Sequence, residues 1–129
     1  MTARVLVVDD DPDAVERIRQ LLGEAATIES TTDWGRVSRT VFRDGCDLVL
    51  MDVNLPVLKG DQLVAILTRL GTEQGRPRIV FFSAQDEATL ARLTRETGAD
   101  GWLSKDMRAP ELRRRLATYL PGASPQPAG

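Results

Sequence analysis

Short, continuous apolar runs recur along this chain and constrain its fold more than any other feature. Their apolar residues follow one another without the alternation of a half-exposed strand, which is typical of parallel strands buried on both faces. Four such runs predict strands: RVLVV (4–8), DLVLM (47–51), RIVFF (78–82) and the weaker GWL (101–103). The segment TIEST (27–31) is a fifth, weak strand candidate.

The segments between these runs have helical spacing. In residues 12–23, Val15, Ile18 and Leu22 recur three and four apart, Pro12 suits the first helical turn and Gly23 suits the end. Similar patterns predict helices at 33–44, 60–70, 86–97 and 109–120. Strands that alternate with helices in this way predict an α/β doubly wound fold. We expect a five-stranded parallel sheet of order 2-1-3-4-5 with helices on both faces.

The length of the chain indicates one domain, and its short apolar runs argue against a membrane segment. The chain has 129 residues, and we assign 1–120 to the domain and the uncharged 121–129 to a disordered tail or a truncated linker. No apolar run approaches the roughly 18 residues of a membrane span, and the N-terminal run is too short for a signal peptide. A net charge of −2 argues against general attraction to nucleic acid. We expect a cytoplasmic protein.

The chain has no histidine and one cysteine, Cys46. This composition excludes catalysis by Ser-His-Asp or Cys-His groups, imidazole metal sites and an internal disulfide. We expect Cys46 to be a half-buried structural residue. Any chemistry must therefore depend on carboxylates, hydroxyls and lysine.

Acidic residues follow two strands that the predicted order places side by side. Strand 1 ends in Asp9, Asp10 and Asp11, and strand 3 ends in Asp52. Carboxylates this close raise one another's pKa unless a cation lies between them. An all-oxygen cluster suits a hard divalent ion, so we expect Mg²⁺, with Mn²⁺ as a possible substitute.

A hydroxyl and an amine are predicted at the same edge of the sheet. Strand 4 ends in Ser83, followed by Ala84, and strand 5 leads into Lys105. A metal ion and an ammonium can offset charge on a phosphoryl group, and a hydroxyl can donate a hydrogen bond to it. The combination therefore predicts transfer of a phosphoryl group onto Asp52.

With these residues assembled, the chain resembles the response-regulator receiver domains of two-component signal transduction, which have a flavodoxin-like (βα)5 fold. The resemblance covers residues 3–120 and depends on four motifs: VLVVDDDP (5–12), DLVLMDVNLP (47–56), FFSA (81–84) and GADGWLSK (98–105).

The resemblance implies a role for each matching residue. Asp52 is the phosphoacceptor and Lys105 and Ser83 assist the transfer. The metal ligands are Asp9, Asp10, Asp52 and the backbone carbonyl of Asn54. The switch residues are Ser83, Ala84 and Trp102, and those that tune the phosphoryl lifetime are Asn54 and Gln85.

The resemblance also implies partners. A histidine kinase or a histidine phosphotransfer protein supplies the phosphoryl group. A downstream protein target then reads the face formed by the helix at 86–97, the last strand and the helix at 109–120. We expect no direct contact with nucleic acid or a membrane, and we interpret Arg113, Arg114 and Arg115 as a charged helix surface.

Three other functions compete with a phosphorylated receiver. The first is a pseudo-receiver, an interaction module that signals without phosphorylation. The second is a phosphatase of the haloacid-dehalogenase type, which needs a second Asp two positions after the nucleophile, where this chain has Asn54. The third is a flavodoxin-like cofactor binder, which three aspartates after strand 1 disfavour because they repel phosphate.

The loop after Lys105 departs from the family pattern. The family usually has proline after this lysine, often with a cis bond, whereas this chain has Asp106. A cis bond before a residue other than proline costs about 3–4 kcal/mol, so we predict a trans 105–106 bond and a rearranged loop. The other departures are Trp102, where Tyr or Phe is commoner, and Lys59, a cation in the turn before the helix at 60–70.

Overall fold

The computed structural model of the chain describes residues 2–54, 62, 64, 65 and 77–121. Its centre is one five-stranded sheet in which neighbouring strands are parallel, in the order β2-β1-β3-β4-β5. This confirms the predicted strand order. The strands are β1 (Ala3–Val8), β2 (Ala26–Thr31), β3 (Leu48–Met51), β4 (Arg78–Ser83) and β5 (Gly101–Ser104).

The register between β1 and β3 brings the ends of these two strands level. Val8 at the end of β1 pairs with Met51 at the end of β3. The amide of Asp52 then donates a hydrogen bond to the Val8 carbonyl at 3.0 Å. The residues that follow the two strands, Asp9 and Asp52, therefore leave the sheet next to each other.

Four α-helices lie entirely within the described part of the chain: α1 (Pro12–Leu22), α2 (Trp34–Arg39), α3 (Glu87–Thr97) and α4 (Ala109–Tyr119). An Asp side chain caps the start of each of the first three because it accepts a backbone N–H of the first turn. The helix predicted at 33–44 begins as α2 and continues as a π-helical turn, Thr40–Asp44. Most of the helix predicted at 60–70 and of the tail at 121–129 lies outside the described residues.

Apolar clusters cover both faces of the sheet. On one face, Val15 and Ile18 of α1 and Leu112 of α4 pack against the strands. On the other, Val37 of α2 and Leu90 of α3 do so. Continuous apolar strands bury side chains alternately on the two faces, which explains why the sheet needs a helical layer on each. The doubly wound α/β fold is therefore confirmed.

None of the helices that the structure describes is long and apolar enough to cross a membrane.

Candidate functional site

Three carboxylates meet at the ends of β1 and β3. One carboxylate oxygen from each of Asp9, Asp10 and Asp52 lies within 4.8 Å of the others. Asp9 and Asp52 are buried, with 5% and 6% of their surface exposed, while Asp10 is exposed. The structure therefore brings together the acids that the strand order predicts as neighbours and leaves one side open to solvent.

Asp11, the third acid of the run, has a local structural role. Its carboxylate accepts the amide N–H of Asp13 at 3.0 Å and so caps the start of α1. Its own amide donates to Oδ1 of Asp9 at 2.9 Å. Asp11 thus connects the first turn of α1 to the buried carboxylate of Asp9.

The ammonium of Lys105 lies between the two buried carboxylates. Its Nζ is 2.8 Å from Asp9 Oδ2 and 3.4 Å from Asp52 Oδ2. Burial alone lowers the pKa of Lys105, but the contacts with Asp9 and Asp52 outweigh burial and raise the pKa above its ordinary value. Lys105 therefore stays charged, as a partner of these carboxylates must.

The charge of the cluster is only partly compensated. Burial raises the pKa of Asp9, and the contacts with Lys105 and the Asp11 amide offset this rise only in part. Among the described residues, no group donates a well-aligned hydrogen bond to buried Asp9 Oδ2, although it contacts the ammonium. Three carboxylates and one ammonium carry a net charge of −2 when ionised. This all-oxygen donor set therefore fits a hard divalent cation.

The remaining residues of the motifs lie at the ends of the strands: Asn54 follows Asp52, and Ser83 ends β4. The Asn54 amide donates to Asp52 Oδ1 at 3.3 Å. Ser83 is buried at the end of β4, and its Oγ accepts the Gln85 amide at 3.4 Å. The Ser83 carbonyl accepts the Lys105 amide at 2.9 Å, so the ends of β4 and β5 are tied together. Ala84, next to Ser83, is exposed.

Trp102 is half-buried on β5 and packs against the apolar clusters of both sheet faces. The guanidinium carbon of Arg115 on α4 lies 5.8 Å from the centre of the Trp102 ring, a distance typical of a cation–π contact. Arg115 also pairs with Glu111 at 3.1 Å. The indole therefore lies at the edge of the core in contact with α4.

The loop that carries Lys105 is held by a residue that sequence analysis missed. No peptide bond among the described residues is cis, which confirms the predicted trans 105–106 bond. Arg17 of α1 donates to the carbonyl oxygens of Lys105, at 2.6 Å, and of Met107. Its position in the sequence carries no signal for this contact, because the acceptors are backbone atoms of a distant loop.

Cys46 lies apart from the acidic cluster and packs against the core. Burial, followed by the charge of Asp47, raises the pKa of its thiol to about 12. The unfolded thiol has a pKa of roughly 8.5. Because the folded pKa is higher, the protonated thiol contributes to the free energy of unfolding below about pH 8.5, and this contribution is lost as the pH rises toward 12.

Cys46 should therefore resist alkylation in the folded protein. At pH 8 we expect iodoacetamide to modify the native protein at least tenfold more slowly than the urea-unfolded chain, because the thiolate is the reactive form. Mass spectrometry over time measures both rates. Equal rates would show that the thiol is accessible and ionised in the folded state.

Comparison with known proteins identifies relatives along nearly the whole domain. The family model described as the response regulator receiver domain matches residues 5–117. The positive alginate biosynthesis regulatory protein of Pseudomonas aeruginosa is 33% identical over 116 residues, which cover 87% of this chain and 45% of that protein. The DNA-binding response regulator MtrA of Mycolicibacterium smegmatis is 32% identical over 99% of this chain and 55% of its own length. The chain thus spans about half the length of these relatives.

Solved structures show the same fold. The BeF3-activated N-terminal receiver domain of Klebsiella pneumoniae RstA has a TM-score of 0.77 at 26% identity and covers 90% of this chain and 97% of that one. The BeF3-activated DrrB receiver domain has a TM-score of 0.76 at 18% identity, with coverage of 92% and 97%. At the lower identity the likeness extends to the fold alone.

Proposed function

The chain belongs to the response-regulator receiver domain family, and from this membership we propose that it accepts a phosphoryl group on Asp52 with the help of Mg²⁺. The observation that carries the proposal is the meeting of Asp9, Asp10 and Asp52 within 4.8 Å, with Lys105 in contact with two of them. These groups provide an acceptor, a set of metal ligands and a fixed positive charge in one place.

Asp9, Asp10, Asp52 and the Asn54 carbonyl would hold the ion, with Mn²⁺ as an alternative to Mg²⁺. When bound, the ion would offset negative charge on the phosphoryl oxygens and help align the phosphorus with the acceptor oxygen of Asp52. The net charge of −2 on the ionised cluster, which remains after the contact between Lys105 and Asp9 is counted, supports this assignment. Lys105 supplies the second positive charge near the reacting group.

The reaction we propose is displacement at phosphorus. A carboxylate oxygen of Asp52 forms a bond to the phosphorus of a phospho-histidine, and the phosphorus–nitrogen bond breaks. The imidazole keeps the bonding electrons and leaves neutral, because its other nitrogen carries a proton. Water later hydrolyses the acyl phosphate, and the residues beside it, Asn54 and Gln85, tune how long it lasts.

The phosphoryl group acts as a switch through Ser83. Ser83 donates its hydroxyl to a phosphoryl oxygen, Ala84 leaves room for it, and Trp102 moves in response. This shifts the balance between two states of the face formed by α3, β5 and α4. A groove of about 400 Å³ lies at the start of α3 and α4 and is lined by Gln85, Met107 and Arg108 among others.

The partners follow from what the chain lacks and from the length of its relatives. This chain has no histidine and cannot carry a phospho-histidine itself, so we propose that a histidine kinase or a histidine phosphotransfer protein supplies the phosphoryl group. The receiver acts on its downstream target through protein contacts. MtrA is named as DNA-binding and is nearly twice as long as its match to this chain, so DNA binding in a protein of that kind need not involve the receiver.

Phosphorylation by a small donor tests this function. With Mg²⁺ and acetyl phosphate, we expect the intact mass to increase by a single phosphoryl group that hydroxylamine removes, as it does from acyl phosphates. An unchanged mass with several donors and with a cognate kinase would instead favour a pseudo-receiver.

Mg²⁺ should also stabilise the folded protein, because only the folded chain assembles the three carboxylates. A ligand at a hundred times its Kd adds about 2.7 kcal/mol to the free energy of unfolding, which corresponds to a rise in Tm of several degrees. Thermal unfolding with MgCl₂, and with NaCl at equal ionic strength, measures the effect. No shift specific to Mg²⁺ would argue against the metal site.

A further inference from the structure

Arg17 contacts the loop that carries Lys105 from a different part of the fold. We propose that Arg17 is a positioning residue, which holds Lys105 at the acidic cluster by fixing the backbone on which its side chain stands. The effect of Arg17 on the rate of phosphoryl transfer rests on the proposed function. The position of Lys105 is a property of the folded protein and can be measured without phosphorylation.

The guanidinium of Arg17 bridges two carbonyl groups. Nη1 donates to the Lys105 carbonyl at 2.6 Å, and Nη2 donates to the Met107 carbonyl. The planar fork of an arginine can satisfy two acceptors at fixed spacing, and hydrogen bonds from a charged donor are stronger than neutral ones. Arg17 itself is half-buried on α1, so water competes less for these contacts.

The other bonds of the loop restrain its amides and leave these carbonyls to Arg17. The amides of Asp106 and Met107 donate to Oγ and to the carbonyl of Ser104, both at 3.1 Å. Among the described residues, Arg17 is the group that donates hydrogen bonds to the carbonyls of Lys105 and Met107. Loss of the guanidinium would therefore free one side of this loop.

Movement of this loop would act directly on the site. The ammonium of Lys105 lies at 2.8 and 3.4 Å from Asp9 and Asp52, and a displacement of about 1 Å at a catalytic group can slow a reaction a hundredfold. Arg17 also stands on the helix that Asp11 caps. Asp9, through the Asp11 amide, and Lys105, through Arg17, are thus both connected to α1.

Accessibility of the Lys105 amine provides a readout that does not depend on phosphorylation. Trace acetylation with acetic anhydride in EDTA, followed by peptide mass spectrometry, gives the labelling of Lys105 relative to Lys59, the other lysine of the chain. In Arg17→Met we expect this ratio to rise severalfold, because a displaced Lys105 leaves the carboxylates. Arg19→Met, which removes an exposed cation of the same helix paired with Glu16, should leave it unchanged.

Arg17→Lys keeps the charge but contacts one carbonyl at a time, so we expect a Lys105 to Lys59 labelling ratio between those of wild type and Arg17→Met. This variant provides the test if Arg17→Met does not fold. If Arg17→Met folds and its labelling ratio is unchanged, the proposal is overturned. If only Arg17→Lys folds, an unchanged ratio in that variant overturns it. Both outcomes hold whatever the phosphorylation assay gives. If Arg17→Met changes the ratio but the wild-type protein takes no phosphoryl group, the positioning role would be supported and the proposed function contradicted.

Phosphorylation rates then test whether Arg17 acts through Lys105. With acetyl phosphate and saturating Mg²⁺, we expect Arg17→Met to react at least tenfold more slowly than wild type. In a Lys105→Met background the same substitution should change nothing further. An equal slowing in both backgrounds would show that Arg17 acts independently of Lys105, which would also overturn the proposal.

Discussion

Asp52→Asn should abolish phosphorylation by acetyl phosphate, while the wild-type protein takes up one phosphoryl group. Asparagine has nearly the same shape as aspartate, so it preserves the packing of a residue that is 6% exposed. Its amide oxygen carries no formal charge and cannot serve as the nucleophile. Removal of one charge also relieves repulsion from Asp9, so we expect the variant to fold at least as stably as wild type.

The control for this substitution is Asp33→Asn. Asp33 is exposed and caps α2, a position where asparagine serves equally well. Intact-mass spectra of all three proteins, with and without hydroxylamine, separate the outcomes. A hydroxylamine-labile adduct that persists in Asp52→Asn would show that another carboxylate is the acceptor.

Lys105→Met should slow phosphorylation strongly without weakening the binding of Mg²⁺. Removal of one preorganised positive group near a developing charge typically costs about 10²–10³-fold in rate. The same substitution makes the net charge of the ionised cluster −3 instead of −2, so its attraction for a divalent ion does not decrease. We therefore expect a lower maximal rate together with an unchanged or smaller Kd for Mg²⁺.

Calorimetric titration of Mg²⁺ at pH 8 and phosphorylation rates at saturating Mg²⁺ measure the two effects separately. Arg19→Met again serves as the control because it removes a surface cation paired with Glu16. A parallel loss of Mg²⁺ affinity and rate in Lys105→Met would mean that the lysine maintains the structure of the cluster and does not act on the phosphoryl group.

The strand order and the neighbouring acids could be predicted from the sequence because local patterns determine them. Continuous apolar runs identify buried parallel strands, and the acids follow the runs directly. Once β1 and β3 are neighbours, the pairing of Val8 with Met51 places Asp9 beside Asp52. The close approach of these carboxylates could therefore be predicted from the sheet topology.

Long-range side-chain contacts could not be predicted in the same way. The run of three aspartates does not reveal that Asp11 turns away to cap α1, since any of the three can serve as a cap. The departure at Asp106 indicated a rearranged loop, but nothing in the sequence connected that loop to Arg17. Contacts between a side chain and the backbone of a distant loop depend on the packed tertiary structure.

The proposed function depends on one divalent ion, held by Asp9, Asp10 and Asp52 beside the acceptor oxygen of Asp52. The most direct measurement is a crystal structure of the protein soaked in Mn²⁺, with an anomalous difference map calculated at the manganese edge. We predict one strong peak about 2.0–2.3 Å from carboxylate oxygens of these residues. A map from fully soaked crystals with no peak among the three carboxylates would contradict the account.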